Sequence, residues 1–80
     1  MLSEKDSGTL RDILRHIDLA EQFADGQGYE GLRNDLRALY AVIRTLEIIS
    51  EASRRLSDEL KARHPQIPWR EMAAALDRVA

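Results

Sequence analysis

The sequence predicts an all-α protein, an antiparallel helical bundle in which a long helix pair carries shorter helices folded across it. Three observations carry that prediction. Apolar residues recur at spacings of three and four in successive stretches, no stretch alternates apolar with polar residues as a strand would, and Gly and Pro mark the boundaries. Antiparallel helix neighbours joined by short loops follow from such a pattern.

The first helix is predicted over about residues 7–25, with Ser7 as its N-cap and Leu10, Ile13, Leu14, Ile17, Ala20 and Ala24 on one stripe. It ends at "ADGQG", where Gly26 supplies the left-handed C-terminal conformation and Gly28 keeps the connection flexible.

The second begins around Tyr29 to Leu32 and runs as one helix to about Leu56. Leu32, Leu36, Leu39, Ile43 and Leu46 alternate by four and three, while Val42, Ile49, Ala52 and Leu56 widen the stripe into a second apolar face. One short neighbour cannot cover that much apolar surface, so part of it is expected to meet another helix or another subunit.

Ser57 caps a short third helix, "SDELKAR", whose first turn holds Asp58 and Glu59 where the helix dipole favours acids. Pro65 ends it. In "HPQIP" both prolines push the preceding residue away from helix, and Pro68 suits the first turn of a last helix with Met72, Leu76 and Val79 on its apolar face.

At 80 residues the chain forms one domain (1–80) with a small core, burying about 60 to 65% of its unfolded surface, so subunit association is expected to add stability. The absence of cysteine excludes disulfides, thiol nucleophiles and Cys-based zinc sites. No apolar run reaches a membrane span and "MLSEKDSGTL" lacks a signal-peptide core, so a cytoplasmic protein without a membrane partner is expected. With a net charge of −2 and ten Arg and two Lys dispersed among acids, bulk electrostatics give no argument for nucleic-acid binding.

Few side chains stand out as chemistry. His16 and His64 lie far apart and lack metal-ligand spacing, so no metal and no cofactor is expected. Arg44, Glu47 and Glu51 sit within two turns of the long helix. They read either as surface pairs of a few tenths of a kcal/mol each or as a polar strip supporting a cleft on a facing helix. Trp69, the one tryptophan, reads as a packing anchor for the last helix, with base stacking as the alternative. No phosphate loop, nucleophile elbow or carboxylate pair is present.

Two further stretches carry a resemblance. "AVIRTLEIISEASRRLS" (41–57) followed by "HPQIPWREMA" (64–73) resembles the HepT-like family, HEPN-class ribonuclease toxins paired with minimal nucleotidyltransferase antitoxins. Arg44, Leu46, Glu47, Ile48, Ile49, Glu51, Ala52, Arg54 or Arg55, and Leu56 fit the first motif; His64, Pro65, Ile67, Pro68, Trp69, Arg70, Met72 and Ala73 fit the second. Thr45 stands where the family has Asn, and Ser50 where it has Gly. "LRDILRHIDLAEQF" fits the first helix, so the resemblance covers nearly the whole chain.

The resemblance implies a dimerising bundle of HEPN type in which an Arg-x4-His-x-Tyr motif lines a cleft that cuts RNA without metal. There His moves protons and Arg stabilises the phosphate's developing charge. It also implies a nucleotidyltransferase antitoxin that silences the toxin by placing AMP on the motif Tyr, adding bulk and negative charge to the cleft. In this chain the motif Arg falls on Leu76, its His one residue past Ala80 and its Tyr two further. Arg78 lies two positions off, a rotation of about 200° on a helix, and does not substitute. Catalytic residues are thus expected to be none, with Arg44, Glu47, Glu51 and Arg70 as cleft-supporting candidates. A shortened or degenerate member and one whose tail was removed or replaced are equally compatible with the residues. RNA is an expected partner only with an intact catalytic segment. The contrasting expectation is a non-enzymatic helical dimerisation or scaffold module.

Overall fold

A computed structural model describes the backbone of residues 2–79 and the side chains of residues 2–74. Five helices account for most of it: α1 (Glu4–Ala24), α2 (Tyr29–Arg33), α3 (Leu36–Arg54), α4 (Asp58–Arg63) and α5 (Trp69–Val79), with no strand among the described residues. The all-α class read from the sequence is therefore the observed one.

Helix α1 begins one turn earlier than its predicted cap. Ser3, not Ser7, is the N-cap, its Oγ accepting the Asp6 N–H at 3.0 Å. Ser7 lies inside the helix because "SEKD" already presents a capping hydroxyl three residues ahead of an acid. At the other end Asp25 itself takes the left-handed conformation at φ 48°, followed by Gly26 at φ 70°. A short Asx side chain tolerates that region, so the turn needs both residues rather than the glycine alone.

The predicted single long helix is broken. Helix α2 stops at Arg33, Asn34 Nδ2 donates to the Glu30 carbonyl at 3.0 Å, and Asp35 caps α3 through Oδ1, which accepts the Ala38 N–H at 3.2 Å. Adjacent Asn and Asp offer the backbone hydrogen bonds that a continuing helix would have to forgo, which apolar periodicity does not reveal. Leu32 and Leu36 consequently belong to different helices.

Helices α1 and α3 run antiparallel and are fastened at both ends. Near one end Gln27 Nε2 donates to Asp35 Oδ2 at 3.1 Å; at the other, Asp6 of α1 meets Ser57, the N-cap of α4. Helix α5 packs on the later part of α3, where Ser50 Oγ lies 3.5 Å from the Ala73 carbonyl oxygen. The most deeply buried apolar residues, Ile49, Ala52, Leu56 and Leu60, all come from the end of α3 through α4. Thr9, Thr45, Ser50 and Ser53 are buried with them, and their small volumes let neighbouring backbones approach. Thr45 and Ser53 satisfy their hydroxyls within α3, on the Val42 and Ser50 carbonyls at 2.6 and 2.7 Å.

Away from that end the core thins. Leu14 is 66% exposed, and Ile17 and Phe23 are also exposed, so only part of the predicted α1 stripe faces α3. The inward face instead follows Asp6, Thr9, Ile13, His16 and Ala20, a 3–4 spacing that mixes polar with apolar side chains. On α3, Leu36 and Tyr40 stand 59% and 65% exposed one turn apart. Of the predicted apolar face on α5, Met72 is exposed, and the side chains of Leu76 and Val79 lie outside the described residues.

Candidate functional site

The loop between α4 and α5 shapes a concavity. Helix α4 ends at Arg63, ahead of the proline that cannot extend it, and the His64 carbonyl accepts both the Ile67 N–H at 3.1 Å and the Trp69 indole Nε1–H at 3.2 Å. Trp69 thereby pins "HPQIPW" into a closed turn while remaining half-exposed. Pro68 sits just before the helix, and its carbonyl accepts the Met72 N–H at 2.9 Å to start the first turn. A tertiary amide with no N–H to lose fits that place.

Between this turn, α4 and the end of α3 lies an open cleft of about 660 Å³. Arg54, Lys61 and Arg70 bring three positive charges to its lining, Asp58 and Glu71 two negative ones, and Trp69 the aromatic surface. Among the described residues the lining therefore carries a net positive charge, in a chain of net charge −2.

The predicted cleft-supporting residues divide between two places. Arg70 lines the cleft; Arg44, Glu47 and Glu51 do not. Arg44 Nη1 and Glu47 Oε2 form an i,i+3 pair at 3.9 Å with side chains 65% and 43% exposed, and Glu51 is exposed one turn on. This is the surface-pair reading of the strip, with a contribution of a few tenths of a kcal/mol at most. His16 Nδ1 lies 2.7 Å from the Asp12 carbonyl oxygen within its own helix, and among the described residues no group of three or more His, Cys, Asp or Glu could hold a metal ion. Leu76, the residue in the place of the motif Arg, and Arg78 have side chains outside the described residues.

Sequence reading missed Arg54 and Lys61 as neighbours of Arg70, because 16 and 9 residues of chain separate them from it and no spacing rule spans a proline-rich turn. It also missed Asp6. The carboxylate of Asp6 is held below its ordinary range first by the Ser57 hydroxyl, then by the Ser57 N–H, with Ser3 and Lys5 adding to the effect against partial desolvation. The "SEKD" capping pattern was a legible signal that an acid here would be engaged, though not by what. Asp35 is likewise lowered, first by the Ala38 N–H it caps and then by Gln27.

Comparison with known proteins bears on all of this at once. A family model described as ribonuclease HepT-like matches residues 13–80, a span that takes in α3, the cleft and the "PWREMA" turn. This chain belongs to the HepT-like family.

Relatives agree. A Thermococcus cleftensis protein named a probable ribonuclease HepT is 44% identical over 70 residues, 88% of this chain and 64% of that protein. Candidate RNases of Methanocaldococcus jannaschii and Caldanaerobacter subterraneus are 36% and 31% identical over the same share of this chain, covering 60% and 62% of their own lengths. The chain thus spans less than two thirds of the HepT-like relatives it matches. No solved structure matches it. The resemblance read from residues 41–57 and 64–73 is the family found, and the helical architecture is the one expected of a HEPN-type protein.

Proposed function

We propose that this HepT-like chain is the scaffold of a toxin-type ribonuclease system: a self-associating helical protein that binds a minimal nucleotidyltransferase antitoxin and does not itself cut RNA. The observation that carries the proposal is internal to the chain. Counted from "HPQIPWREMA" by resemblance to the family pattern, Leu76 stands where the nuclease motif has Arg, and the family match over residues 13–80 supports reading that stretch as the family's. An aliphatic side chain cannot stabilise charge on a phosphate in the transition state, a contribution on the order of 3 kcal/mol when one such donor is removed. The relatives named as RNases support a ribonuclease ancestry, and the cytoplasm is the setting proposed for it.

The test has two parts. Incubation of the pure chain with total RNA is expected to leave it intact, and cleavage that survives removal of contaminating nucleases would overturn the non-nuclease assignment. Co-expression with a minimal nucleotidyltransferase antitoxin is expected to give a complex that co-purifies. If the two do not co-purify, the antitoxin partner is lost from the reading.

A second reading, a non-enzymatic dimerisation or scaffold module with no antitoxin, is favoured by one observation. Leu14 and Ile17 on α1 and Leu36 and Tyr40 on α3 are exposed apolar side chains of two packed helices, which self-association would cover. Self-association is common to both readings, so the antitoxin experiment separates them.

A further inference from the structure

We infer that the cleft between α4 and the start of α5 is a nucleotide-binding site, taking the phosphate of one nucleotide unit on Arg70 and Lys61 and its base against Trp69. This rests on neither the nuclease motif nor the antitoxin partner proposed above.

Volume comes first: about 660 Å³ falls within the range of small-molecule sites, and one nucleotide fits it. Charge comes second. Lys61 from α4 and Arg70 from the first turn of α5 belong to one lining, and Arg54 from the end of α3 adds positive charge to it. Among the described residues the side chains of Lys61 and Arg70 have neither a hydrogen-bond nor an ion-pair partner. Planar guanidinium groups suit two phosphate oxygens at once, and ammonium adds a point charge. Third, the Trp69 N–H is already committed to the His64 carbonyl, which fixes the indole at the cleft and leaves its hydrocarbon surface for a base. The acids supply the remaining chemistry, because Asp58 and Glu71 are acceptors for ribose hydroxyls, and Gln66 can both donate to and accept from a base edge.

The one tryptophan makes the site its own reporter. The intact chain is titrated with AMP, with adenosine, and with a short single-stranded oligoribonucleotide while Trp69 fluorescence is followed. AMP is expected to quench it saturably, and adenosine to bind about tenfold or more weakly for want of the phosphate. Lys61→Ala and Arg70→Ala are expected to weaken AMP by about tenfold each, with helical circular dichroism unchanged, and Arg15→Ala on α1 to leave it unchanged. An oligoribonucleotide that binds tighter than AMP assigns the cleft to a unit of an RNA strand, and equal affinity assigns it to a free nucleotide. Quenching that stays linear to about 10 mM AMP, or affinity that ignores both Lys61→Ala and Arg70→Ala, overturns the site.

Discussion

Asp6 accepts two hydrogen bonds from Ser57, one from its backbone N–H at 2.9 Å and one from its hydroxyl at 2.5 Å, across 51 residues of sequence. Ser57 in turn caps α4 by accepting the Leu60 N–H at 3.1 Å. One buried carboxylate therefore ties the first turn of α1 to the first turn of α4, and it does so most strongly while ionised, because two hydrogen bonds donated to a carboxylate favour its charged form.

The first prediction is a pH dependence. Asp6 is held below its ordinary value of 3.8 in the folded chain, so the unfolded chain binds its proton first as pH falls. Its stabilising contribution is fully present above about pH 4 and is lost as pH drops through the lower folded value. Thermal melts from pH 7 down to pH 2.5 should show a fall in Tm at the acid end that is smaller in Asp6→Asn. An equal fall in both proteins would show that other groups carry the acid sensitivity.

Ser57→Ala removes the hydroxyl from both roles at once. Loss of an N-cap alone costs about 0.5 to 2 kcal/mol, and the upper half of that range is expected because Asp6 also loses a donor. Urea titration measures it, and a loss under about 0.5 kcal/mol would mean that the N–H contact suffices.

Core position should matter more than residue type. Leu56 is 3% exposed and Leu14 66%, so Leu56→Ala is expected to cost about 2 to 5 kcal/mol and Leu14→Ala under about 0.5. For a chain this small the first change is expected to leave little folded protein at 37 °C. Comparable denaturant midpoints for the two variants would place the core elsewhere.

Ser50 governs how closely α5 approaches α3. It is 1% exposed, with its Oγ 3.5 Å from the Ala73 carbonyl oxygen, so the site tolerates little volume. Ser50→Leu should cost about 1 to 3 kcal/mol by overpacking, and Ser50→Ala under about 1. Shifted Trp69 fluorescence in Ser50→Leu alone would place the strain at the α3–α5 contact, and identical melts for the two variants would remove it from there.

Self-association is predicted to run through α3. Leu36 and Tyr40 lie one turn apart on its exposed face, and Leu36→Glu with Tyr40→Glu should weaken association by about tenfold or more in light scattering. A wild-type chain that is monomeric at micromolar concentration would remove this interface.

The sequence by itself determined the class, the helix-bearing segments, the Ser57 cap, the proline turn and, through two motifs in order, the family. All of these are local quantities: periodicity, capping chemistry and fixed φ act within a few residues. The tertiary structure decided what contiguity cannot reach. It chose Asp6 as the partner of Ser57, broke the long helix where Asp35 could both cap α3 and hold Gln27, and left Leu14 in solvent although it fits the apolar stripe. It also separated Arg70 from Arg44, Glu47 and Glu51 and set it beside Arg54 and Lys61. The physical reason is the same in each case: a helix offers more faces than its neighbours can cover, and only packing in three dimensions selects which of them meet.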